Sequence, residues 1–390
     1  MAGLPSLQGV LVGLRRPQVL PPAGLQVKQH LGAALDWIER AAVAAGDGGI
    51  SKGYDLLRHC WAPSYPETTG YTIPTLLNAA AALDRPELHV LALSLADYLL
   101  KAATEEGGVA HWASAKPVPV VFDTGQVMFG WLAAFGASGD ERYLRAAVRA
   151  GDWLVSVQHP SGSWQDYQHL GVAKVIDTRV AWVLLELCRH TLCTHTRRDI
   201  YRRAAVRNLD WAKRQQDGDG WFRHCAFVEG EDPFTHTLAY TAEGLFESGR
   251  LLDEARYVDA GRLTADALLA RQHPDGALAS TYGSAWRETS ASVCLTGNCQ
   301  MSHLWMRFYG TSGNRTYYTA ARKAVTFVAR IQILSTRDPD IRGGIAGSHP
   351  IYGRYERFKY PNWATKFFVD ALLALDMADS GNNLSSYYVG

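Results

Sequence analysis

Cysteine is scarce, with six in 390 residues (Cys60, Cys188, Cys193, Cys225, Cys294 and Cys299), far too few for a disulfide scaffold. Net charge is almost absent as well. Thirty-nine Lys and Arg stand against 38 Asp and Glu, leaving +1, so the chain as a whole has no basic field for phosphate backbones and nucleic acid is not an expected partner. No run of about 18 apolar residues is unbroken, and no segment is expected to span a bilayer. Near the N-terminus the best apolar stretch, Val10 to Leu14, is too short for a signal-peptide core, and Arg15 and Arg16 follow it rather than precede it. The expectation is a cytoplasmic protein with free thiols. Also missing are His-Glu-x-x-His, a Walker loop, Gly-x-Ser-x-Gly, and Gly-x-Gly-x-x-Gly behind a strand. Zinc proteases, P-loop enzymes, serine hydrolases and dinucleotide enzymes thereby lose their usual signatures. The segment Cys188-Arg-His190-Thr-Leu-Cys193-Thr-His195 gathers four metal-capable side chains. Helical spacing points them to more than one face, without the two-residue knuckle of zinc ligation. We read it as structural, and expect neither metal nor cofactor.

What is present is 47% apolar and 20% charged, which excludes disorder and allows a large core. Within it a repeat dominates. Six helical segments carry Asp36-Trp37, Asp97-Tyr98, Asp152-Trp153, Asp210-Trp211, Asp266-Ala267 and Thr326-Phe327, at intervals of 61, 55, 58, 56 and 60 residues. A Gly-bearing turn follows each, from Asp47-Gly-Gly49 to Arg342-Gly-Gly344, as a tight reversal between helices requires. A second helix then begins near Glu67, Asp123, Asp177, Thr235, Thr296 and Tyr360, with Asp and Thr expected as N-caps. Arg142, Arg145 and Arg149 mark a wet face on the first kind of helix, whereas Val127-Met-Phe-Gly-Trp-Leu-Ala-Ala-Phe135 of the second kind is apolar nearly all round and has to be buried. Such hairpins cannot cover their apolar faces singly. A closed ring does so, with buried helices inside and amphipathic ones outside, and the period is longer than the roughly 34 to 47 residues of common open solenoids. The expected fold is all-α, an (α/α)6 toroid forming one domain over residues 27–380. An N-terminal extension at 1–26 and a C-terminal tail at 381–390 flank it.

In such a ring the starts of the inner helices and the loops before them converge on one mouth, where polar and aromatic residues concentrate. Glu67, Asp123 and Asp177 occupy equivalent places in three successive repeats and so point to one cavity. Tyr65 and His111 accompany them. Trp61, Tyr71, Trp112, Trp286 and Trp363 are candidate platforms, and Gln126, Arg179, Asn298, Gln300, Arg354 and Lys366 candidate binding groups. Each has a plain structural reading too: the acids can cap helices, and Trp164 and Trp221 can be packing plugs. Aromatic faces with interspersed carboxylates suit a saccharide, whose C–H faces stack and whose hydroxyls seek polar partners.

The segments Val121-Phe-Asp123-Thr-Gly-Gln-Val-Met-Phe129 and Lys174-Val-Ile-Asp177-Thr-Arg-Val-Ala-Trp182 resemble the two catalytic-aspartate segments of the unsaturated glucuronyl and rhamnogalacturonyl hydrolases, which are (α/α)6 enzymes. The resemblance covers motifs and architecture over residues 27 to 380. It implies that Asp177 protonates a vinyl-ether C4=C5 bond and then activates water, with Asp123 as its helper. In the fourth repeat the family's Trp-Ala-Arg-Gly-Gln-style segment is replaced by Thr235-His-Thr-Leu-Ala-Tyr240-Thr-Ala-Glu243. There His236 and Tyr240, four apart on one helix face, fit the base of the related uronate lyases or of a C5-epimerase. Asn298, Gln300 and Arg179 would then neutralise the substrate carboxylate. Gln158-His-Pro-Ser-Gly162-Ser-Trp164 matches the turn motif of terpene cyclases, a structural device, but their Asp-x-Asp-Asp acid is missing. The expected function is a glycoside hydrolase on acidic, uronic-acid-containing oligo- or polysaccharides, with Arg179, Lys366 or Arg354 on the substrate carboxylate. Lyase or epimerase is the second reading, and a non-catalytic glycan-binding ring the third.

Overall fold

A computed structural model describes residues 24–111 and 118–382. Most of the expected N-terminal extension, most of the tail, and Trp112 lie outside the described residues. The first three hairpins comprise α1 (Val27–Ala45), α2 (Pro66–Leu83), α3 (Pro86–Ala102), α4 (Val121–Ser138), α5 (Glu141–Ser156) and α6 (Thr178–Leu187). The second three comprise α7 (His195–Arg214), α8 (Thr235–Leu252), α9 (Ala255–Leu269), α10 (Leu295–Ser312), α11 (Arg315–Ala329) and α12 (Asn362–Asp379). Even-numbered helices pack in sequence, α2 on α4, α6, α8, α10 and α12, and α12 returns to α2. The ring is closed: the fold is an (α/α)6 toroid. Across the seam Thr75 donates to Asp370 Oδ1 at 2.7 Å and Asn362 Nδ2 to Thr68 Oγ1 at 2.8 Å.

The polarity difference between the helix sets follows from their positions. Inner helices bury almost every side chain along most of their length, Val121 to Ala134 in α4 for example, whereas α5 buries one face and leaves its arginines in water. Trp37, Trp131, Trp164, Trp182 and Trp305 are fully buried, each removing apolar area that stabilises by about 25 cal/mol per Å².

Two repeated contacts stitch neighbouring outer helices together. The Asp of the repeat marker accepts from a tyrosine on the next outer helix: Tyr143 to Asp97, Tyr201 to Asp152, Tyr257 to Asp210 and Tyr317 to Asp266, at 2.6–3.0 Å. The glutamine of the turn motif clamps the next outer helix through its backbone. Gln158 Nε2 reaches Ala204 O, Gln216 Nε2 reaches Ala260 O, Gln272 Nε2 reaches Ala320 O, and Gln332 Nε2 reaches His30 O at 3.2 Å to close the ring. Gly276 behind one such glutamine has φ +97°, and a Cβ there would sit 2.1 Å from Lys323 O. Only glycine permits that approach. Trp164 and Trp221 are packing plugs, donating to Leu154 O and Tyr282 O.

The expected Asp and Thr caps on the inner helices are not formed. Residues preceding these helices are Tyr65, Val120, Asp177, Phe234, Cys294 and Pro361, and the one side-chain cap among them is Cys294 Sγ to Gly297 N. The threonines hold the incoming loop instead: Thr69, Thr124 and Thr365 accept from Ile50, Val109 and Ile345 amides. Asn298 does the same for Leu278. This leaves the acids of the first turn free of backbone duty.

Short strands tie the mouth loops together. β1 (Gly53–Asp55) pairs antiparallel with β2 (Cys60–Trp61), while β3 (Val293–Cys294) pairs with β4 (Ser348–His349). β5 (Lys359–Pro361) pairs with β1, joining the loops of the sixth and first repeats. Among the described residues no helix is long and apolar enough to cross a membrane.

Candidate active site

The starts of α2, α4, α8 and α12, with the loops before them, enclose a cavity of about 290 Å³. Tyr71, Phe122, Phe227, Tyr240, Tyr355 and Trp363 form its aromatic walls; Glu67, Asp123, His111, His169, Lys52 and Lys174 supply charge and hydrogen bonds. Lys52 Nζ lies 5.4 Å from the Tyr65 ring centroid and 5.6 Å from that of Trp363, within cation–π range.

At the floor, acids and proton carriers are linked. The Tyr65 hydroxyl donates to Glu67 Oε2 and lies 3.1 Å from His111 Nδ1. His111 Nδ1 is in turn 2.8 Å from Asp123 Oδ2. Glu67 and Asp123 line the same cavity floor, close enough for the charge of Asp123 to bear on Glu67. Burial raises both pKa values, and for Glu67 the Asp123 charge adds to the rise. His169 stacks on His111, ring centroids 5.0 Å apart and planes at 22°. Burial first, then the neighbouring His111 and Lys174 charges, lower His169 to about 4, so it is neutral at physiological pH.

Asp177 stands immediately before α6 and makes no cap hydrogen bond. Its side chain is fully buried behind Gln168, Lys174 and Ile176, which line the cavity, while Asp177 itself does not. Oδ2 accepts from Gln168 Nε2 at 2.7 Å, and Oδ1 has no hydrogen-bond partner among the described residues. Burial pushes this carboxyl up to about 7, against the opposing pull of Lys174 and Gln168. Lys174 anchors the covering loop, donating to His169 O at 2.5 Å and Val172 O at 3.0 Å.

Of the residues singled out in the sequence, Glu67, Asp123, Tyr71, His236, Tyr240 and Trp363 come together on the cavity wall. Others are engaged elsewhere. Arg179 is fully buried in the bore of the ring, ion-paired with Glu243 and donating to Gln126 Oε1 at 2.9 Å. Burial alone would raise Glu243, but the Arg179 charge and His303 bring it down to about 2. Lys366 pairs with Asp370 at 2.8 Å, and Arg354 meets Glu231 at 3.0 Å on the surface. None of these three cations lines the cavity. Gln300 lies behind the wall, its Oε1 2.6 Å from His236 Nδ1. Asn298 clamps Gly276 and Ala324 carbonyls. Trp61 packs on Trp37 and donates to Asp340, and Trp286 donates to Asp219 O; both are packing groups outside the cavity. Lys52, Gln168, His169 and Lys174 were not singled out. They lie in loops, where neither periodicity nor repeat position marks direction.

Arg179 therefore holds the fold rather than a ligand. Arg179→Met strands a buried carboxylate and is expected to lower unfolding free energy by about 3–5 kcal/mol in denaturant titrations, not to raise KM selectively.

No family model matches the chain, and no curated protein does. Solved structures do match. An unsaturated glucuronyl hydrolase specific for heparin aligns at TM-score 0.71 and 12% identity, over 92% of this chain and 98% of the other. The unsaturated glucuronyl hydrolase of a Bacillus species, responsible for the degradation of glycosaminoglycan, aligns at 0.70 and 16%, over 90% and 97%. Cellobiose 2-epimerase from Bacillus thermoamylovorans aligns at 0.68 and 11%, over 89% and 98%. The chain thus shares the (α/α)6 toroid of the unsaturated glucuronyl hydrolases and sugar epimerases.

Proposed function

We propose that this protein is a carbohydrate-active enzyme, a glycoside hydrolase that removes an unsaturated uronate from acidic oligosaccharides. One observation carries the reading. Asp123 lines an aromatic-walled cavity, and Asp177, from the start of the adjacent inner helix, lies directly behind its wall; both have raised pKa values, so acid is available near neutrality. By the resemblance of their sequence segments, both are taken to match the two aspartates of the unsaturated glucuronyl hydrolases. For substrate to meet Asp177 Oδ1, the Gln168 side chain that stands between Asp177 and the cavity has to move aside.

In the proposed reaction the Asp177 carboxylic acid gives its proton to C4 of the C4=C5 bond, and positive charge develops at C5 and the ring oxygen. The resulting carboxylate takes a proton from water as the water oxygen bonds to C5. The hemiketal opens to a ketone at C5, freeing the ring oxygen, and the hemiacetal left at C1 expels the remaining saccharide as an alcohol. Asp123, beside Glu67 and touching His111, orients the incoming groups, and the raised pKa values of the two acids limit the negative charge at the floor. Lys52, beside Trp363, takes the place on the substrate carboxylate that the sequence assigned to Arg179, Arg354 or Lys366. Lys52→Met is expected to raise KM about tenfold with kcat little changed, the loss of one charge-assisted contact.

A tyrosine-based lyase or epimerase finds less support. Burial, with Glu67 adding to it, raises the Tyr240 phenol far above its ordinary value, and burial lowers His236 to about 4. The phenol therefore stays protonated near neutrality, and the imidazole, though neutral, is a weak base. Incubation with an unsaturated uronyl disaccharide tests the reading: the ultraviolet absorbance of the conjugated double bond should disappear. Rising absorbance on an intact polyuronate would establish a lyase instead, and deuterium uptake from heavy water without cleavage an epimerase.

A further inference from the structure

Although the chain is nearly neutral, α7 is not. Its twenty residues carry Arg197, Arg198, Arg202, Arg203, Arg207, Lys213 and Arg214 against Asp199 and Asp210. Several exposed arginines elsewhere pair with carboxylates, Arg142, Arg145 and Arg262 among them, while others such as Arg149, Arg287 and Arg315 are in no ion pair among the described residues; what sets α7 apart is the density of its arginines. On α7, Arg197 pairs with Asp152, but among the described residues no ion pair joins Arg198, Arg202, Arg203, Arg207 or Arg214 to an acid. Like charges held four apart on a helix repel, so a partner anion would stabilise this face.

Grooves flank the helix. One is bordered by Arg189, Arg198 and Arg202, with a single acid, Asp199, over Leu185, Cys188, Leu251 and Leu252; the other by Arg202, Arg203 and Arg207, with no acid, over Val155, Ile200 and Val206. Arg202 belongs to both. From Arg198 to Arg214 the helix rises about 24 Å, and it ends on the face where the cavity opens. There Arg223 donates to Arg214 O at 2.7 Å, and the next residue, His224, accepts at its carbonyl from Val175 N at 3.0 Å, beside cavity-lining Lys174.

We infer that the exposed face of α7 binds a polyanionic saccharide chain, a surface site apart from the catalytic cavity. Guanidinium rims suit carboxylates and sulfates, and aliphatic floors suit the C–H faces of sugar rings. Neither groove has an aromatic side chain on which single-stranded nucleic acid would stack. The choice of a saccharide among polyanions rests on the proposed function.

Binding to immobilised heparin, a sulfated uronate polymer, tests it on the full chain. The wild type should be retained at physiological salt. The double variant Arg202→Glu, Arg203→Glu, at exposed and unpaired positions, should elute earlier and bind heparin at least about tenfold more weakly, with Tm and turnover of an unsaturated disaccharide unchanged. Arg145→Glu on α5 should behave as wild type. Equal retention of the double variant, or tighter wild-type binding to polyuridylate or phosphatidylserine vesicles than to heparin, would overturn the inference. Loss of heparin binding in the double variant together with no disaccharide turnover in the wild type would sink the catalytic reading and leave the surface site standing.

Discussion

Replacing Asp177 by Asn is expected to lower kcat by about 10²–10⁴-fold, the usual contribution of a positioned proton donor, with the fold intact. Asn is close in shape to the protonated acid and keeps the carbonyl that accepts from Gln168. The stability consequence has a definite sign. The folded state holds this proton to about pH 7, whereas the unfolded chain releases it near the ordinary value of 3.8. Between those values the folded protein binds more protons than the unfolded, so stability falls as pH rises through the window. Asn has no such proton to lose. The variant should therefore match the wild type at low pH and exceed its stability above about pH 7, as read from urea unfolding at the two pH values. In the wild type, kcat/KM should decline as pH rises through about 7, because the acid form starts the reaction. Retained turnover in Asp177→Asn would remove this residue from the chemistry.

Asp123→Asn and Glu67→Gln should separate the two members of the buried acid pair. Asp123 touches His111 and lies within electrostatic reach of Glu67, so an amide in its place should reduce kcat by about 10²-fold or more. It also removes the like charge beside Glu67, whose pKa should then fall, although burial keeps it above the ordinary range. The carboxyl ¹³C shift of Glu67 followed through a pH titration reports that movement directly. Glu67→Gln is expected to be milder, about tenfold or less, since an amide keeps the shape of the neutral acid and can still accept from Tyr65. Equal impairment of the Glu67→Gln and Asp123→Asn enzymes would end the distinction between their roles.

Much of the architecture was legible before any coordinates. The toroid follows from hairpins that alternate an amphipathic and an all-apolar helix at a long period, because such pairs bury their surfaces only in a closed ring. Asp123 and Glu67 were legible for the same reason: a first-turn residue of an inner helix has few places to go but the mouth. Position in the repeat says less about the next side chain along. Arg179 follows Asp177 by two residues, about 200° round the helix, and so enters the bore and meets Glu243 instead of the cavity. Lys366 turns the same way toward Asp370. Trp61 and Trp286 lie in mouth loops, but their indole N–H groups are held by Asp340 and Asp219 O, outside the cavity.

The amino-acid sequence alone determined the count of hairpins, which helices are buried, and the placing of Glu67 and Asp123 at the mouth, since these depend on hydrophobic period and on distance from a helix start; it also pointed Asp177 there, which the structure sets behind the wall. Tertiary structure decided the charges and contacts: Glu67 against Asp123, Asp177 behind Gln168, Lys52 and Lys174 at the rim, arginines unpaired on α7. The physical reason is range. Burial pattern is a property of a few consecutive turns, whereas a carboxyl's pKa and a lysine's partner depend on groups brought together across repeats, by loops whose path is set by strand pairs such as β1 with β5.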